Sequence, residues 1–277
     1  MIFSCNLCGN KTHTIIAKKN EIRFNCYGHN KKIIKCSKCN LIQLYPTWEE
    51  EQLDKLYQEY SLKKDFKGYK YKKKIDNYIE KYLNKGDRIL EIGARDGENL
   101  SYFQNKGYNA IGIDKDPSVC DGKVVLNYDF ESMPDSQKFD FIYGIHVLEH
   151  IRDPHKFINR VNSMLENNGR FLFEIPNVDD PILTIYKNKQ YNKFYWYPFH
   201  IFFYNKDTIT NMFQKVGINI SVKYKQRYGL INHMRWFLLG KPGNINFTIP
   251  ILDYLYKLIL TKVFKKSDTL IIVGEKR

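Results

Sequence analysis

The sequence predicts an α/β fold: a mainly parallel sheet with helices on both faces, preceded by a small cysteine-built module. Three observations predict it. From Arg88 onward, short apolar runs alternate with helical patterns, as in strands laid parallel by crossover helices. The first run, Ile89-Leu90-Glu91-Ile92, leads directly into Gly93-Ala94-Arg95-Asp96-Gly97 and then a helical stretch with Leu100 and Phe103 one turn apart. Strand, tight glycine turn and helix N-terminus together form the shape of a nucleotide-type cofactor loop. Finally, Cys5-x-x-Cys8 and Cys36-x-x-Cys39 are two identical hooks.

The hooks come first in the chain. Four thiolates presented in pairs suit tetrahedral zinc. Each hook is followed by a residue tolerant of positive φ, Gly9 or Asn40, as a knuckle turn requires. Strand-like pieces lie between them, Thr14-Ile15-Ile16 and Lys32-Ile33-Ile34. Four unrelated buried cysteines would not repeat the spacing, although His13 and His29 stay open as alternative ligands. Residues 1–46 are therefore read as a zinc ribbon held by Cys5, Cys8, Cys36 and Cys39, with Cys26 and Cys120 left over. Four cysteines leave no open coordination position, so the zinc is expected to be structural.

Residues 47–86 are read as a helical connector that covers the cofactor or substrate. Thr47-x-x-Glu50 has the form of a capping box. Leu53, Leu56, Tyr57 and Tyr60 share one face, and a second helix carries Ile75, Tyr78, Ile79, Tyr82 and Leu83, ending near Gly86.

Residues 87–277 supply the sheet. After strand 88–92 and a helix to about Lys106, Asn109 to Ile113 is a second strand ending in Asp114. A short helix follows Pro117, Val124 to Leu126 is the third strand, and Phe139 to Tyr143 is the fourth. A helix from Pro154 carries Phe157, Ile158, Val161, Met164 and Leu165 and stops at Asn168-Gly169. Arg170 to Glu174 is the fifth strand. A helix from Asn205 carries Ile209, Met212, Phe213 and Val216 and is closed by Gly217. Two more strands follow, Ile218 to Val222 and Thr269 to Val273. In such a sheet ligands sit beyond the carboxyl ends of the strands. There Asp114 is placed to accept from both ribose hydroxyls, and Asp129 to lie near an adenine amino group.

With these parts the sequence resembles class I S-adenosylmethionine-dependent methyltransferases over roughly residues 70–277. The resemblance rests on Ile89 to Gly97, Gly112-Ile113-Asp114, Phe139-Asp140-Phe141-Ile142 and Asn168-Gly169-Arg170. Its most specific part is Val147-Leu148-Glu149-His150-Ile151-Arg152-Asp153-Pro154. It implies a Rossmann-like seven-stranded sheet whose last strand is antiparallel, and S-adenosylmethionine as cofactor. It further implies that Glu91 faces the ammonium end, Gly93 lies under the methionine portion, Asp114 holds the ribose, and Asp129 with Phe130 flanks the adenine. Ala94, Gly97 and Gly144 complete the implied cofactor contacts. Arg95 stands where the family usually has the middle glycine, and its side chain is expected to point outward.

Methyl transfer from a sulfonium is an in-line displacement, so positioning dominates, and near-attack placement is worth about 7–11 kcal/mol. A poorly acidic acceptor still benefits from a base that titrates near neutral pH. Two candidates for it are His200, first, and His146, second, while His150 is expected to cap or pack. The block Tyr197-Pro198-Phe199-His200-Ile201-Phe202-Phe203-Tyr204 resembles the base-histidine segment of sugar C-methyltransferases that begin with a four-cysteine zinc module. Those enzymes have glutamate where this chain has Phe199, and a long C-terminal domain without counterpart here. O-methylation is therefore favoured over C- or N-methylation.

The expected acceptor is a small polar molecule, phosphorylated or nucleotide-linked, such as a nucleotide-linked sugar or a cell-surface glycan precursor. The formal charge of +14 is compatible with it. The lysines are spread over all regions, and the one run, Lys63 to Lys74, is read as a solvated helix face. The alternative is an RNA methyltransferase whose zinc ribbon and basic surface grip phosphate. Against it, Gly144-Ile145-His146-Val147 stands where an Asn-Pro-Pro-Tyr-type amino-methylation motif would follow the fourth strand. A third alternative, a non-enzymatic binding protein on the same fold, has Arg95 as its support. The N-terminus has neither a basic start nor an apolar run, and no stretch is long and apolar enough to span a bilayer. A cytoplasmic protein is expected. Finally, Ile249 to Lys266 reads as an amphipathic helix with Ile251, Leu252, Leu255, Leu258, Ile259 and Val263 on one face. That face is expected to cover the sheet or form a homodimer contact, in preference to lying on a membrane.

Overall fold

Short apolar runs build two sheets. In the N-terminal one, β1 (His13–Ala17), β2 (Lys32–Cys36) and β3 (Ile42–Tyr45) pair antiparallel. The computed structural model of the chain describes residues 3–53, 55–56, 78–134, 136–242 and 249–276. The next strands are β4 (Arg88–Ile92), β5 (Asn109–Asp114), β6 (Val125–Asn127), β7 (Phe139–Ile145) and β8 (Leu165–Pro176). After them come β9 (Phe202–Phe203), β10 (Ile220–Lys225) and β11 (Thr269–Glu275). Seven of these join in the order β10-β11-β8-β7-β4-β5-β6. The pairs from β8 across to β6 are parallel, and β11 runs antiparallel to both β8 and β10. This is the Rossmann-like seven-stranded sheet that the sequence predicts.

Neighbouring residues of β4 feed opposite faces. Ile89 packs with Leu100 and Phe103 of α1 (Glu98–Asn105), whereas Leu90 belongs to the core that holds Phe157, Ile158 and Val161 of α2 (Pro154–Met164). The Asp153 carboxylate caps α2 by accepting from the Lys156 amide at 3.0 Å, with Pro154 at the first helical position. Two short helices follow, α3 (Pro181–Thr184) and α4 (Lys189–Tyr195), before α5 (Lys206–Lys215), which Asn205 and Thr208 start with a reciprocal capping box. The helix from Pro154 ends four residues sooner than its sequence pattern predicts. Leu165 is buried and extended, and Asn168 and Gly169 exchange backbone hydrogen bonds with Lys276, so this stretch joins the sheet instead.

The order of connection reverses between β4 and β7, since β5 and β6 lie on one side of β4 and β7 and β8 on the other. A crevice opens at such a switch point, beyond the strand ends. It is bordered by Gly93 to Gly97 after β4 and by His146 to His150 after β7.

The cysteine module is not closed by its own residues. Its fourth strand is β9, with Ile42 opposite Phe203 and Gln43 opposite Phe202. The Leu44 amide donates to the Ile201 carbonyl at 2.9 Å and the Trp48 indole to the Pro198 carbonyl at 2.6 Å. One apolar core runs from Ile33, Leu44 and Trp48 through Phe202 to Phe173 of the main sheet.

In the connector, the Thr47–Glu50 capping box does not form. The helix begins at residue 50 with Glu49 at its head, the Glu49 amide donating to Gln52 Oε1 at 3.3 Å, while the Thr47 carbonyl is taken by Lys31. Leu53 and Leu56 are buried as expected, and so is Ile79. Tyr57, Tyr60, Lys63 to Lys74 and Ile75 lie outside the described residues. Near the C-terminus, α6 (Leu230–Leu239) and α7 (Pro250–Leu258) pack side by side, and α7 runs on into a π-helical turn, Ile259–Val263. The expectation that this segment lays its apolar face on the sheet is wrong. Ile251, Leu252, Leu255, Leu258, Ile259 and Val263 are all exposed, and the residues turned inward are Asp253 and Leu260. The reason is polar: Asp253 accepts from the Leu230 amide at 2.8 Å and Tyr256 hydrogen-bonds His233, which docks the helix by its hydrophilic side.

Candidate active site

The loop after β4 is folded by a carboxylate on the next strand. Asp114 accepts from the Arg95 amide and from the Asp116 amide, both at 2.9 Å, while the amides of Gly93 and Ala94 donate to the Ile113 carbonyl. Arg95 has φ +53° with its side chain exposed, so it adopts the backbone of the glycine usual there and points outward. Gly97 is left-handed as well, and a Cβ on it would lie 2.9 Å from Val125, which explains glycine at the start of α1. Glu91 is fully buried beneath the loop and accepts from Asn99 at 2.8 Å. Burial and the neighbouring Glu91 push the phenol of Tyr143 well above its ordinary pKa.

Asp129 begins the short turn Phe130–Ser132, accepts from the Glu131 amide and pairs with Lys115 at 2.7 Å. Phe130 is buried, with its ring 5.0 Å from that of Phe157. It lies in the core below the strand ends. Glu91, Gly93, Ala94, Gly97 and Asp114 are therefore gathered at the ends of β4 and β5, with Asp129 past β6. Gly144 is buried at the end of β7, where a Cβ would meet the Phe173 ring at 3.2 Å.

Across the switch point stands a carboxylate among imidazoles. Glu149 is buried, and its Oε1 lies 3.1 Å from His146 Nδ1. One ligand atom each from Glu149, His150 and His200 falls within 4.8 Å of the others. Burial opposes ionisation of Glu149, but the hydrogen bond from His146 and the electrostatic pull of the imidazoles around it outweigh that and hold its pKa at about 2. His146 itself has φ +57°, an uncommon backbone for histidine, and its amide is fixed to the Glu174 carbonyl at 2.8 Å. Its Nε2 lies 2.9 Å from Arg227 Nη1. A guanidinium only donates, so Nε2 carries the lone pair and the Nδ1 proton faces Glu149. Arg227 and Lys225 also approach Glu174, at 3.5 and 3.2 Å, and Tyr78 hydrogen-bonds the same carboxylate.

His150 directs Nδ1 at the Phe199 carbonyl, 3.0 Å away, and packs edge-on to His200 with ring centroids 4.9 Å apart. No group among the described residues hydrogen-bonds the His200 ring. Burial first, and then the neighbouring His150, lower the His200 pKa to about 3, so its imidazole is neutral at physiological pH. The two candidate bases therefore differ: His146 is engaged at both nitrogens, whereas His200 is held by packing alone. Sequence reasoning missed Glu149 as the hub and Arg227, Lys225 and Glu174 as partners. The spacing of His146 and Glu149, three apart, was the available signal for the first. Nothing in the sequence signals the others, which β10, β11 and β8 bring together.

In the cysteine module all four hook thiols converge, their sulfurs within 4.8 Å of one another, with Cys5 to Cys39 at 3.4 Å and Cys8 to Cys36 at 3.6 Å. A tetrahedron of Zn–S bonds of about 2.3 Å has edges near 3.8 Å, so the cluster is compatible with zinc. Gly9 and Asn40 take the left-handed knuckle conformation, and their amides close on the carbonyls of Cys5 and Cys36. His13 and His29 are not in the cluster.

Comparisons with known proteins agree with this geometry. The chain is 23% identical over 163 residues to the C-methyltransferase NovU of Streptomyces niveus, covering 54% of this chain and 37% of that protein. It is 26% identical over 113 residues to a ubiquinone biosynthesis O-methyltransferase of Coxiella burnetii, covering 36% and 48% respectively. The chain thus spans half or less of these curated relatives. The fold matches a crystal structure of a SAM-dependent methyltransferase from Archaeoglobus fulgidus with a TM-score of 0.54 at 19% identity, covering 79% of this chain and 99% of that one. A family model described as a methyltransferase domain matches residues 57–221. Glycine loop, strand-end aspartate and seven-stranded sheet agree with that match, and the chain belongs to this methyltransferase domain family, with the fold of the class I S-adenosylmethionine-dependent enzymes.

Proposed function

We propose that the protein transfers a methyl group from S-adenosylmethionine to a small polar acceptor of the nucleotide-linked sugar or glycan-precursor class, with His200 as the base. The His200 ring, packed edge-on against His150 and hydrogen-bonded to no other group among the described residues, carries this reading; burial makes it a weaker base than the near-neutral one the sequence leads one to expect. The cofactor supplies an activated methyl on a sulfonium. Glu91, the Gly93–Gly97 loop, Asp114 and Asp129 hold and orient it in the crevice. His200 then takes the proton of an acceptor hydroxyl, and Glu149 stabilises the imidazolium that forms. His146 is locked between Glu149 and Arg227, which suits it to shaping the acceptor side. Likeness to both a C- and an O-methyltransferase supports the reaction class, and O-transfer is favoured because Phe199 precedes the base. The four-cysteine cluster holds a structural zinc that fixes the His200 segment through β9.

Calorimetric titration with S-adenosylmethionine, followed by methyl-transfer assays over a panel of nucleotide-linked sugars, tests this. Micromolar cofactor binding with turnover of a panel member is expected. Cofactor binding with turnover of RNA alone would sink it.

A further inference from the structure

The α6–α7 hairpin is built inside out. Asn232, His233 and Asp253 are buried, while Met234, Phe237, Leu238 and Leu239 of α6 and Ile251, Leu252, Leu255, Leu258, Ile259 and Val263 beyond it are exposed. Phe237, Leu238, Ile251 and Val263 are each 68–75% exposed, and their helical spacing groups them on outward faces. Large apolar side chains exposed in such number on neighbouring helices mark an interaction surface.

Charge narrows what covers it. Across residues 229–242 and 249–266 the one acidic residue, Asp253, is buried against the Leu230 amide, whereas Lys241, Lys262 and Lys265 are exposed beside the apolar side chains. An apolar face whose own helices expose only cationic charge matches an anionic lipid surface, into which the side chains insert while the lysines meet headgroups. No helix among the described residues is long and apolar enough to cross a membrane. The geometry is that of lying on a bilayer.

We propose that the α6–α7 hairpin docks the protein on anionic membranes. The hairpin is hydrogen-bonded towards the candidate site: Lys257 donates to the Arg227 carbonyl at 2.9 Å, and His233 meets Gln226 at 3.2 Å. Docking therefore holds the acceptor side of the crevice close to the lipid surface. This inference rests on the exposed face and its charge, and it does not depend on the acceptor.

Vesicle co-sedimentation of the full chain tests it. Binding to phosphatidylcholine vesicles containing about a third phosphatidylglycerol is expected to exceed binding to pure phosphatidylcholine by about tenfold or more, and to weaken with salt. A Phe237→Ser, Leu238→Ser, Ile251→Ser variant and a Lys262→Glu, Lys265→Glu variant should each lose most of that binding, with melting temperature and cofactor affinity retained. Equal partition of wild type and both variants, or no binding to anionic vesicles, would overturn the proposal. So would a dimer in light scattering that the serine variant dissociates, without vesicle binding.

Discussion

The two sides of the crevice are made differently. The proposed cofactor side is local: Glu91, the glycine loop and Asp114 come from one strand–helix–strand stretch, and their hydrogen bonds stay within it. The opposite side is assembled from distant pieces. Glu149 follows β7, His200 is carried by a segment pinned to the cysteine module, and Arg227 comes from beyond β10. A local site inherits its geometry from the sheet. An assembled site depends on every element that meets there, so the two sides should fail independently.

The strongest separation is expected from His200→Ala. Turnover should fall by about 10²–10⁴-fold, the usual contribution of a positioned base, while affinity for S-adenosylmethionine stays within about threefold. Full turnover in the variant would remove the base assignment. Stripping the metal with a chelator should come next. Turnover should drop by at least about tenfold more than cofactor affinity, because the module's sheet ends in β9 next to His200, and structural zinc contributes folding free energy. Equal losses in both, read by paired assay and calorimetry, would break the distinction.

Asp114→Ala should do the reverse. It removes two loop hydrogen bonds as well as the proposed ribose acceptor, and should weaken cofactor binding by about 10–100-fold with metal content unchanged. The smallest effect concerns pH. The native His200 pKa is about 3, below its unfolded value, so the unfolded chain binds the extra proton between these limits. Stability should fall as pH drops from about 6.5 toward 3, and the low Glu149 pKa adds to the loss below about 4.5. In His200→Gln, thermal unfolding from pH 7 to 5 should show a shallower decline, by at most about 1 kcal/mol per pH unit.

The same contrast governs what the sequence reveals. Strand periodicity, glycines and strand-end acids announce the cofactor side because the physics that shapes it acts between near neighbours. Arg95 pointing outward follows from that stretch alone, whereas the part Asp114 plays in folding the loop, through the Arg95 and Asp116 amides, is not read from it. The site beyond β7 is less legible: His146 and His200 stand out as histidines, but which of them Arg227 engages is decided by sheet pairing. Helix 250–258 misled for a different reason. Amphipathic spacing says that one face is apolar, and it does not say which face is turned inward. There a buried aspartate and a tyrosine hydroxyl decide it.

The strand that β9 lends to the cysteine module also sets an order of assembly. The module leaves the ribosome before β9, so β3 lacks its β9 partner until residues 202–203 have been made and folded back. Until then it presents an apolar edge strand, the kind that invites wrong partners. A zinc ion captured early by the two hooks would fix the register of β1 to β3 through that wait, and metal supply would then bear on the yield of folded protein as well as on its final stability.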